Sequence, residues 1–180
     1  RETEALSFFE RLDAFLRQDI FIGEVCACLK GCAVNGYLVG GLLRDIALKK
    51  EVAKDYDFVV SGMVKEVACL AAERLGGTAF LLDRLSGSHR VVVKTGAAAV
   101  TLDFSPMRGR TIEDDLVERD FTVNAMAVDL TSLSQGSAIV IDPFNGLTDA
   151  SGSVLRAVTE GAFAEDPLRC VRAVRLSHCC

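Results

Sequence analysis

The sequence predicts a mixed fold of helices and strands, because apolar patterns typical of each recur along the chain. Apolar residues recur at helical spacing in three places, residues 3–17, 22–33 and 63–75. Within the first 104 residues, runs rich in β-branched and aromatic residues predict five strands, at 37–39, 54–60, 78–82, 90–94 and 98–104. Half of the 180 residues are hydrophobic, so the chain can form at least one full domain with its own core.

The first predicted strand leads directly into a glycine turn. Strand, glycines and helix start follow one another in Gly40-Gly41-Leu42-Leu43-Arg44-Asp45. Glycines let backbone N–H groups approach an anion closely, and a helix N-terminus attracts negative charge. Arg44 lies one turn into the helix and can bind a phosphate with both arms of its guanidinium. The turn indicates an anion site, with an ordinary structural turn as the alternative.

The next strand carries two aspartates that point to the same side. Alternate side chains of a strand share a face, so Asp55 and Asp57 lie together, opposite Tyr56 and Phe58. Two neighbouring carboxylates repel each other unless a cation lies between them, and hard oxygen ligands favour Mg²⁺ or Mn²⁺. The spacing indicates a divalent metal site, with two solvated acids on a strand as the alternative.

The three strands that follow the helix at 63–75 add one more acid. Gly76-Gly77 end that helix, and residues 83–87 are predicted to turn the first of these strands into the second. The third strand carries Asp103 among apolar neighbours. Asp103 is either a third metal ligand that faces the aspartate pair or a charge at the end of a strand.

The middle of the chain gives a weaker pattern. It predicts an acidic loop over 111–118, a helix over 119–127 with Asp120 near its start, and a strand over 138–141. Residues 144–149 are rich in turn formers, and residues 153–158 form a short element of ambiguous type.

The final stretch predicts a helix that begins near Pro167. Three arginines recur on one of its faces, at Arg169, Arg172 and Arg175. Asp166 and Arg169 can together present an acceptor and a donor fork to the edge of a base, while the arginines behind them bind phosphates. A solvated basic face is the alternative. The helical pattern stops without a cap, so we expect the chain to be the first part of a longer protein.

Composition limits the possible functions. The net charge of −5 argues against a protein whose whole surface binds nucleic acid, but it allows a local basic site. The longest apolar runs are too short to span a bilayer, and no secretory signal pattern opens the chain. The seven cysteines contain no CxxC pair, so a reducing, cytoplasmic setting is expected.

Five motifs, in order, resemble those of the class II tRNA nucleotidyltransferase and bacterial poly(A) polymerase family of the DNA polymerase β superfamily. They are GGLLRD at 40–45 with DYD at 55–57, LDFSPMR at 102–108, ERDFTVNAMA at 118–127, DPFNGLTD at 142–149 with Arg156, and EDPLRCVRAVR at 165–175. The resemblance implies an α+β fold, a palm-like small mixed sheet with helices on one face, followed by the start of a helical neck. It divides the chain into N-terminal helices (1–35), a nucleotidyltransferase head (36–160) and a truncated first neck helix (161–180).

The resemblance also implies roles for single residues. The catalytic carboxylates that hold Mg²⁺ or Mn²⁺ would be Asp55, Asp57 and Asp103. The residues that bind the nucleotide would be Gly40, Gly41, Arg44, Arg119, Asp120, Asn124, Asp166, Arg169, Arg172 and Arg175. Within this set, Asp166 and Arg169 would select the base. Two positions depart from the family: Glu118 stands where an arginine is usual, and Lys49 stands near a usual glycine.

The implied activity is template-independent addition of C and/or A to the 3′ end of tRNA, by two-metal phosphoryl transfer from CTP or ATP. The expected partners are therefore CTP, ATP and an RNA 3′ end, without a membrane. A poly(A) polymerase is the nearest alternative, although the stretch after the aspartate strand lacks the arginine-rich signature expected of that branch. A catalytically silent fragment that binds nucleotide or RNA is the alternative from another class.

Overall fold

The computed structural model describes residues 7–52, 54–133 and 138–177. Its strands are β1 (Gly36–Val39), β2 (Asp55–Val60), β3 (Thr78–Asp83), β4 (Ser88–Thr95), β5 (Ala98–Pro106), β6 (Ala127–Asp129) and β7 (Ile139–Ile141). Its helices are α1 (Phe8–Gln18), α2 (Ile20–Cys32), α3 (Gly41–Ala47), α4 (Val64–Leu75), α5 (Ile112–Val117), α6 (Leu130–Leu133), α7 (Gly146–Ser151), α8 (Ala162–Glu165) and α9 (Leu168–Ser177). No helix among the described residues is long and apolar enough to cross a membrane.

The strands form one seven-stranded sheet, in the order β3-β4-β5-β2-β1-β6-β7. Only the β2–β5 pair among these neighbours is parallel, and the others are antiparallel. The predicted α+β class with a mixed sheet is therefore confirmed. The aspartate strand β2 lies in the middle of the sheet, where it is paired on both sides.

One face of the sheet carries the larger core. Tyr56 and Phe58 of β2 point into it, and the Phe58 ring stacks on Phe104 of β5 at 5.1 Å between ring centroids. Residues of α1, α2 and α4 cover this face. Burying a phenylalanine side chain stabilises the fold by about 1.5–3 kcal/mol. This packing confirms the predicted alternation along β2 and fixes the opposite face as that of Asp55 and Asp57.

The opposite face is only partly covered, and here the predicted arrangement is wrong in one respect. Ile112 and Leu116 of α5 pack on this face against Val39 and Val59. Helices therefore lie on both faces of the sheet rather than on one. The aspartate end of β2 stays uncovered, because α5 reaches only the end of the strand that carries Val59.

The two N-terminal helices are confirmed where the structure describes them, while residues 3–6 of the first prediction lie outside the described part. Ser7 and Glu10 form a reciprocal cap at the start of α1. Asp19 caps α2 by accepting from the Ile22 N–H group at 2.9 Å, and it also accepts from the Tyr56 hydroxyl at 2.6 Å. The helix pair is thereby tied to the aspartate strand.

Two predictions in the middle of the chain are wrong. The acidic stretch over 111–118 forms helix α5 instead of a loop, because Thr111 and Asp114 make a reciprocal cap that starts it. The predicted helix over 119–127 forms a single 3₁₀ turn at Thr122–Asn124 and then enters strand β6. Asp120 stops a helix there, since its Oδ1 atom accepts from the Phe121 N–H group and from the Asn124 amide.

The last third of the chain mixes confirmed and corrected elements. Strand β7 and helix α9 are present where the sequence predicts them. The turn-rich stretch over 144–149 contains helix α7, whose first N–H groups are bonded by the Asp142 carboxylate. The ambiguous stretch at 153–158 contributes one isolated bridge, between Ala157 and Phe121.

Candidate active site

A polar cleft of about 520 Å³ lies over the uncovered face of β2. The start of α3, the 3₁₀ turn and helix α9 form its walls. Each residue that the sequence predicts to bind a nucleotide lines this cleft, and so do Asp55 and Asp57, whereas Asp103 does not. The fold thus brings together residues that lie up to 135 positions apart in the sequence, from Gly40 to Arg175.

The glycine turn forms the cleft wall closest to the aspartate strand. Gly40 has φ +81° and ψ −150°, a conformation essentially restricted to glycine. A Cβ atom at Gly40 would lie 2.8 Å from Oδ2 of Asp57. Glycine is therefore required here both for the backbone conformation and for the close approach to Asp57.

Arg44 is held in place by two partners. Its Nε and Nη2 atoms donate to Oδ1 of Asp45, and its Nη1 atom donates to Oδ1 of Asn124 at 2.8 Å. Asn124 in turn donates to Oδ1 of Asp120 at 3.1 Å. The Nε atom of Arg172 lies 2.8 Å from Oδ2 of Asp120, an ion pair without hydrogen-bond geometry. These contacts link α3 to α9 across the cleft.

The carboxylates of β2 and β5 lie side by side. In the parallel register, Asp57 stands directly across from Asp103, and Asp55 across from Thr101, whose hydroxyl donates to Asp55. Asp57 lies at the floor of the cleft, where solvent reaches it although protein atoms surround it on most sides. Its burial raises the pKa of the Asp57 carboxyl; Arg119 opposes this shift, and the charges of Asp103 and Asp55 add to it.

Asp103 is paired with an arginine that the sequence analysis did not identify. Arg90 of β4 donates to both carboxylate oxygens of Asp103, each at 2.6 Å. This hydrogen-bonded ion pair raises the pKa of Arg90. The predicted role of Asp103 as a third metal ligand has no support from this arrangement. Among the described residues, no group of three or more His, Cys, Asp or Glu side chains is arranged to hold a metal ion.

A second missed residue is Asp115, which is only 2% exposed at the edge of the cleft. Its Oδ2 atom accepts from Arg119 at 3.0 Å, and its Oδ1 atom accepts from the Arg108 N–H group at 3.1 Å. Asp115 therefore orients the Arg119 guanidinium. The sequence offered little signal for it, because Asp115 lies in a run of acids that suggests a solvated loop.

Asp166, which lies two residues before α9, and the arginines of α9 line the far wall of the cleft. Asp166 accepts from the Leu168 N–H group at 3.0 Å with Oδ1, while its Oδ2 atom lies 4.0 Å from Nε of Arg169. Arg169 also donates to the backbone oxygen of Glu118 at 2.8 Å. Asp166 therefore caps the helix and stands beside Arg169 at the same time, so the geometry is compatible with the predicted role of this pair in base selection.

Comparison with known proteins places this cleft in context. The poly A polymerase head domain family matches residues 36–156. A CC-adding tRNA nucleotidyltransferase from Geobacter sulfurreducens is 44% identical over 143 residues, which cover 79% of this chain and 31% of the relative. An A-adding tRNA nucleotidyltransferase from Aquifex aeolicus is 35% identical over 158 residues, which cover 80% of this chain and 18% of the relative.

A solved structure of a CCA-adding enzyme with ATP is 31% identical to this chain, with a TM-score of 0.78. It covers 94% of this chain, which in turn covers 40% of it. The chain thus spans less than half the length of each of these proteins. Since the family match covers more than half of the chain, the chain belongs to the poly A polymerase head domain family.

Proposed function

We propose that this chain carries the catalytic head of a nucleotidyltransferase that adds C and/or A to the 3′ end of tRNA, using CTP or ATP. The strongest support for this proposal is that the aspartates of β2 and the predicted nucleotide-binding residues line a single cleft. The relatives named for CC addition and A addition support tRNA and these nucleotides as substrates.

Asp55 and Asp57 are the residues that would hold a divalent cation, Mg²⁺ or Mn²⁺. Their fit rests on chemistry, because two carboxylates on one strand face offer the hard oxygen donors that these ions prefer. The raised pKa of Asp57, caused first by burial, reflects a charge that a cation would stabilise. When bound, such ions make the attacking 3′-hydroxyl more acidic and stabilise the pyrophosphate that leaves.

The arginines of the cleft would bind the triphosphate. Asp45 and Asn124 fix Arg44, and Asp115 fixes Arg119, so both guanidiniums are oriented before a nucleotide arrives. Phosphoryl transfer depends mainly on positioning and on stabilising negative charge, and preorganised arginines supply both. Arg172 and Arg175 of α9 would add positive charge on the opposite wall.

Asp166 and Arg169 would select the base. A carboxylate accepts from an exocyclic amine, and an arginine donates to a ring nitrogen or a carbonyl. Cytosine and adenine each present an amine beside a ring-nitrogen acceptor, whereas uracil and guanine present the opposite polarity at that edge. The 4.0 Å separation of the two side chains allows both to face one base.

The test is a primer-extension assay with labelled CTP or ATP on two tRNA substrates, one that lacks CCA and one that ends in CC. Addition of two C residues would identify the CC-adding type, and addition of one A would identify the A-adding type. Addition of both nucleotides would identify the CCA-adding type. A long A tail would instead identify a poly(A) polymerase. Binding of CTP without any addition would support the catalytically silent alternative.

The cytoplasm remains our proposed location, on the basis of the cysteine content alone.

A further inference from the structure

Asp103, the carboxylate on β5, is bound by an arginine that lies outside the five sequence motifs. Arg90 on β4 stands directly across from Asp103 on β5. Two hydrogen bonds of 2.6 Å join its guanidinium to the two oxygens of Asp103. Such two-pronged pairs are among the strong and directional contacts between side chains. Arg90 therefore fixes the orientation of Asp103.

The location of this pair gives it influence over the cation site. Asp103 stands beside Asp57 in the parallel register of β5 and β2. Arg90 thus lies on the same face of the sheet, two strands from Asp57. The negative charge of Asp103 and the positive charge of Arg90 both lie near a cation held by Asp57, and Asp103 is the nearer of the two. The two charges of the pair therefore act against each other at Asp57.

We propose that Arg90 is a positioning residue and the fixed counter-ion of Asp103, so that Asp55 and Asp57 hold the divalent cation while the Arg90–Asp103 pair acts as an oriented, nearly neutral unit. This inference rests on the proposed function, because it concerns the cation that the function requires. Both Asp103 oxygens are already hydrogen-bonded, and Asp103 does not line the cleft that Asp55 and Asp57 line.

Removing the arginine charge should strengthen cation binding. Neighbouring strands lie about 4.8 Å apart, which puts Arg90 about 10 Å from an ion at Asp57. At that separation and in a largely aqueous dielectric, losing one positive charge should lower the dissociation constant for Mn²⁺ roughly fivefold. We therefore expect Arg90→Met to bind Mn²⁺ roughly fivefold more tightly than the wild-type chain. A purely structural role would leave this affinity unchanged.

Arg90→Lys separates charge from orientation. Lysine keeps the positive charge but lacks the planar fork, so Mn²⁺ affinity should stay within about twofold of the wild type. The lysine variant also guards against misfolding, since it preserves the ion pair that Arg90→Met removes.

The matched control is Arg74→Met. Arg74 on α4 pairs with Glu24 at 2.5 Å, and α4 packs on the other face of the sheet. This variant removes the same charge and an ion pair of the same type, so it should lower stability without changing Mn²⁺ affinity. Thermal unfolding of each variant reports the structural cost separately from the binding.

The deciding experiment is an electron paramagnetic resonance titration of Mn²⁺ into the 180-residue chain. Asp103→Asn alone should bind roughly fifteenfold more weakly, because Asp103 lies only one strand from Asp57 and its loss also leaves Arg90 uncompensated. The double variant Arg90→Met/Asp103→Asn should recover to within about fivefold of the wild type. Binding by the double variant that is ten or more times weaker would make Asp103 a direct ligand and overturn the proposal. Equal affinities of Arg90→Met and Arg74→Met would also overturn it.

The results that would contradict the proposed function differ from those that would contradict the role of Arg90. A wild-type chain that binds Mn²⁺ and shows the predicted pattern of affinities, but adds no nucleotide, would contradict the proposed function and support the role of Arg90. A wild-type chain that binds no Mn²⁺ would overturn both.

Discussion

Replacing Gly40 by alanine tests how the glycine turn is fitted to the aspartate pair. Gly40 has φ +81° and ψ −150°, and an added Cβ would lie 2.8 Å from Oδ2 of Asp57, closer than side chains normally approach. Strain in this backbone region costs about 1–3 kcal/mol, so the Tm of Gly40→Ala should fall by roughly 2–12 °C. Because the Asp57 carboxylate must also move, we expect weaker binding of Mn²⁺ and of CTP with Mn²⁺.

Gly76→Ala is the control that separates strain from contact. Gly76 also has a positive φ, +66°, but an added Cβ would meet no atom within 4 Å. This variant should lower Tm through strain of about 1–2 kcal/mol and leave Mn²⁺ binding unchanged. Calorimetry gives Tm, and titration of Mn²⁺ gives the affinity. A Gly40→Ala chain that matched Gly76→Ala in Mn²⁺ affinity would refute the fit between the turn and Asp57.

The remaining predictions concern strain, pH and base choice. Lys49 has φ +56°, so Lys49→Gly should stabilise the chain by about 0.5–1 kcal/mol in urea unfolding. Hydrogen bonding to Arg156 lowers the pKa of Asp149 from its ordinary 3.8; the resulting stability is present above that ordinary pKa and is lost as the pH falls through the lowered pKa. Asp149→Asn should therefore cost stability at pH 7 and less at acid pH. Asp166→Ala or Arg169→Ala should relax discrimination against UTP and GTP by about one to two decades in nucleotide competition.

Each of these has a contrary outcome. A Lys49→Gly chain less stable than the wild type would show that another contact outweighs the backbone strain. An equal loss for Asp149→Asn at every pH would show that ionisation of this carboxylate does not contribute. Unchanged preference for CTP and ATP in the variants of Asp166 and Arg169, together with a lower Tm, would leave these residues as helix-capping groups.

Strands and helices such as β2 and α4 were predictable because the spacing of their apolar residues can be read from the sequence. The alternation of Asp55, Tyr56, Asp57 and Phe58 assigns two faces to one strand, and the structure places the aromatic pair in the core. The end of α4 was also predictable from the sequence, since Gly76 adopts the left-handed conformation that ends the helix.

The stretch over 111–127 was mispredicted because its polar residues are buried by the fold. Asp115, Asp120 and Asn124 are at most 7% exposed, although their composition suggests a loop followed by an ordinary helix. Their hydrogen bonds to backbone N–H groups and to arginines decide the local structure. No short-range pattern shows which acids will find such partners.

The candidate site was predictable as a set of residues but not as a set of contacts. The predicted nucleotide-binding residues that line the cleft follow from the family resemblance. The Arg90–Asp103 pair depends on the register between β4 and β5, which the sequence of either strand alone does not specify.

The central claim is that Asp55 and Asp57 support nucleotide transfer in this cleft, and the most direct measurement is the rate of labelled nucleotide addition to tRNA by wild-type and Asp57→Asn chains. The wild type should add nucleotide only with Mg²⁺ or Mn²⁺, and Asp57→Asn should be slower by roughly a thousandfold. Asp13→Asn, which alters an exposed acid paired with Arg17 on α1, is the control and should keep the wild-type rate. Addition by Asp57→Asn at the wild-type rate would contradict the account.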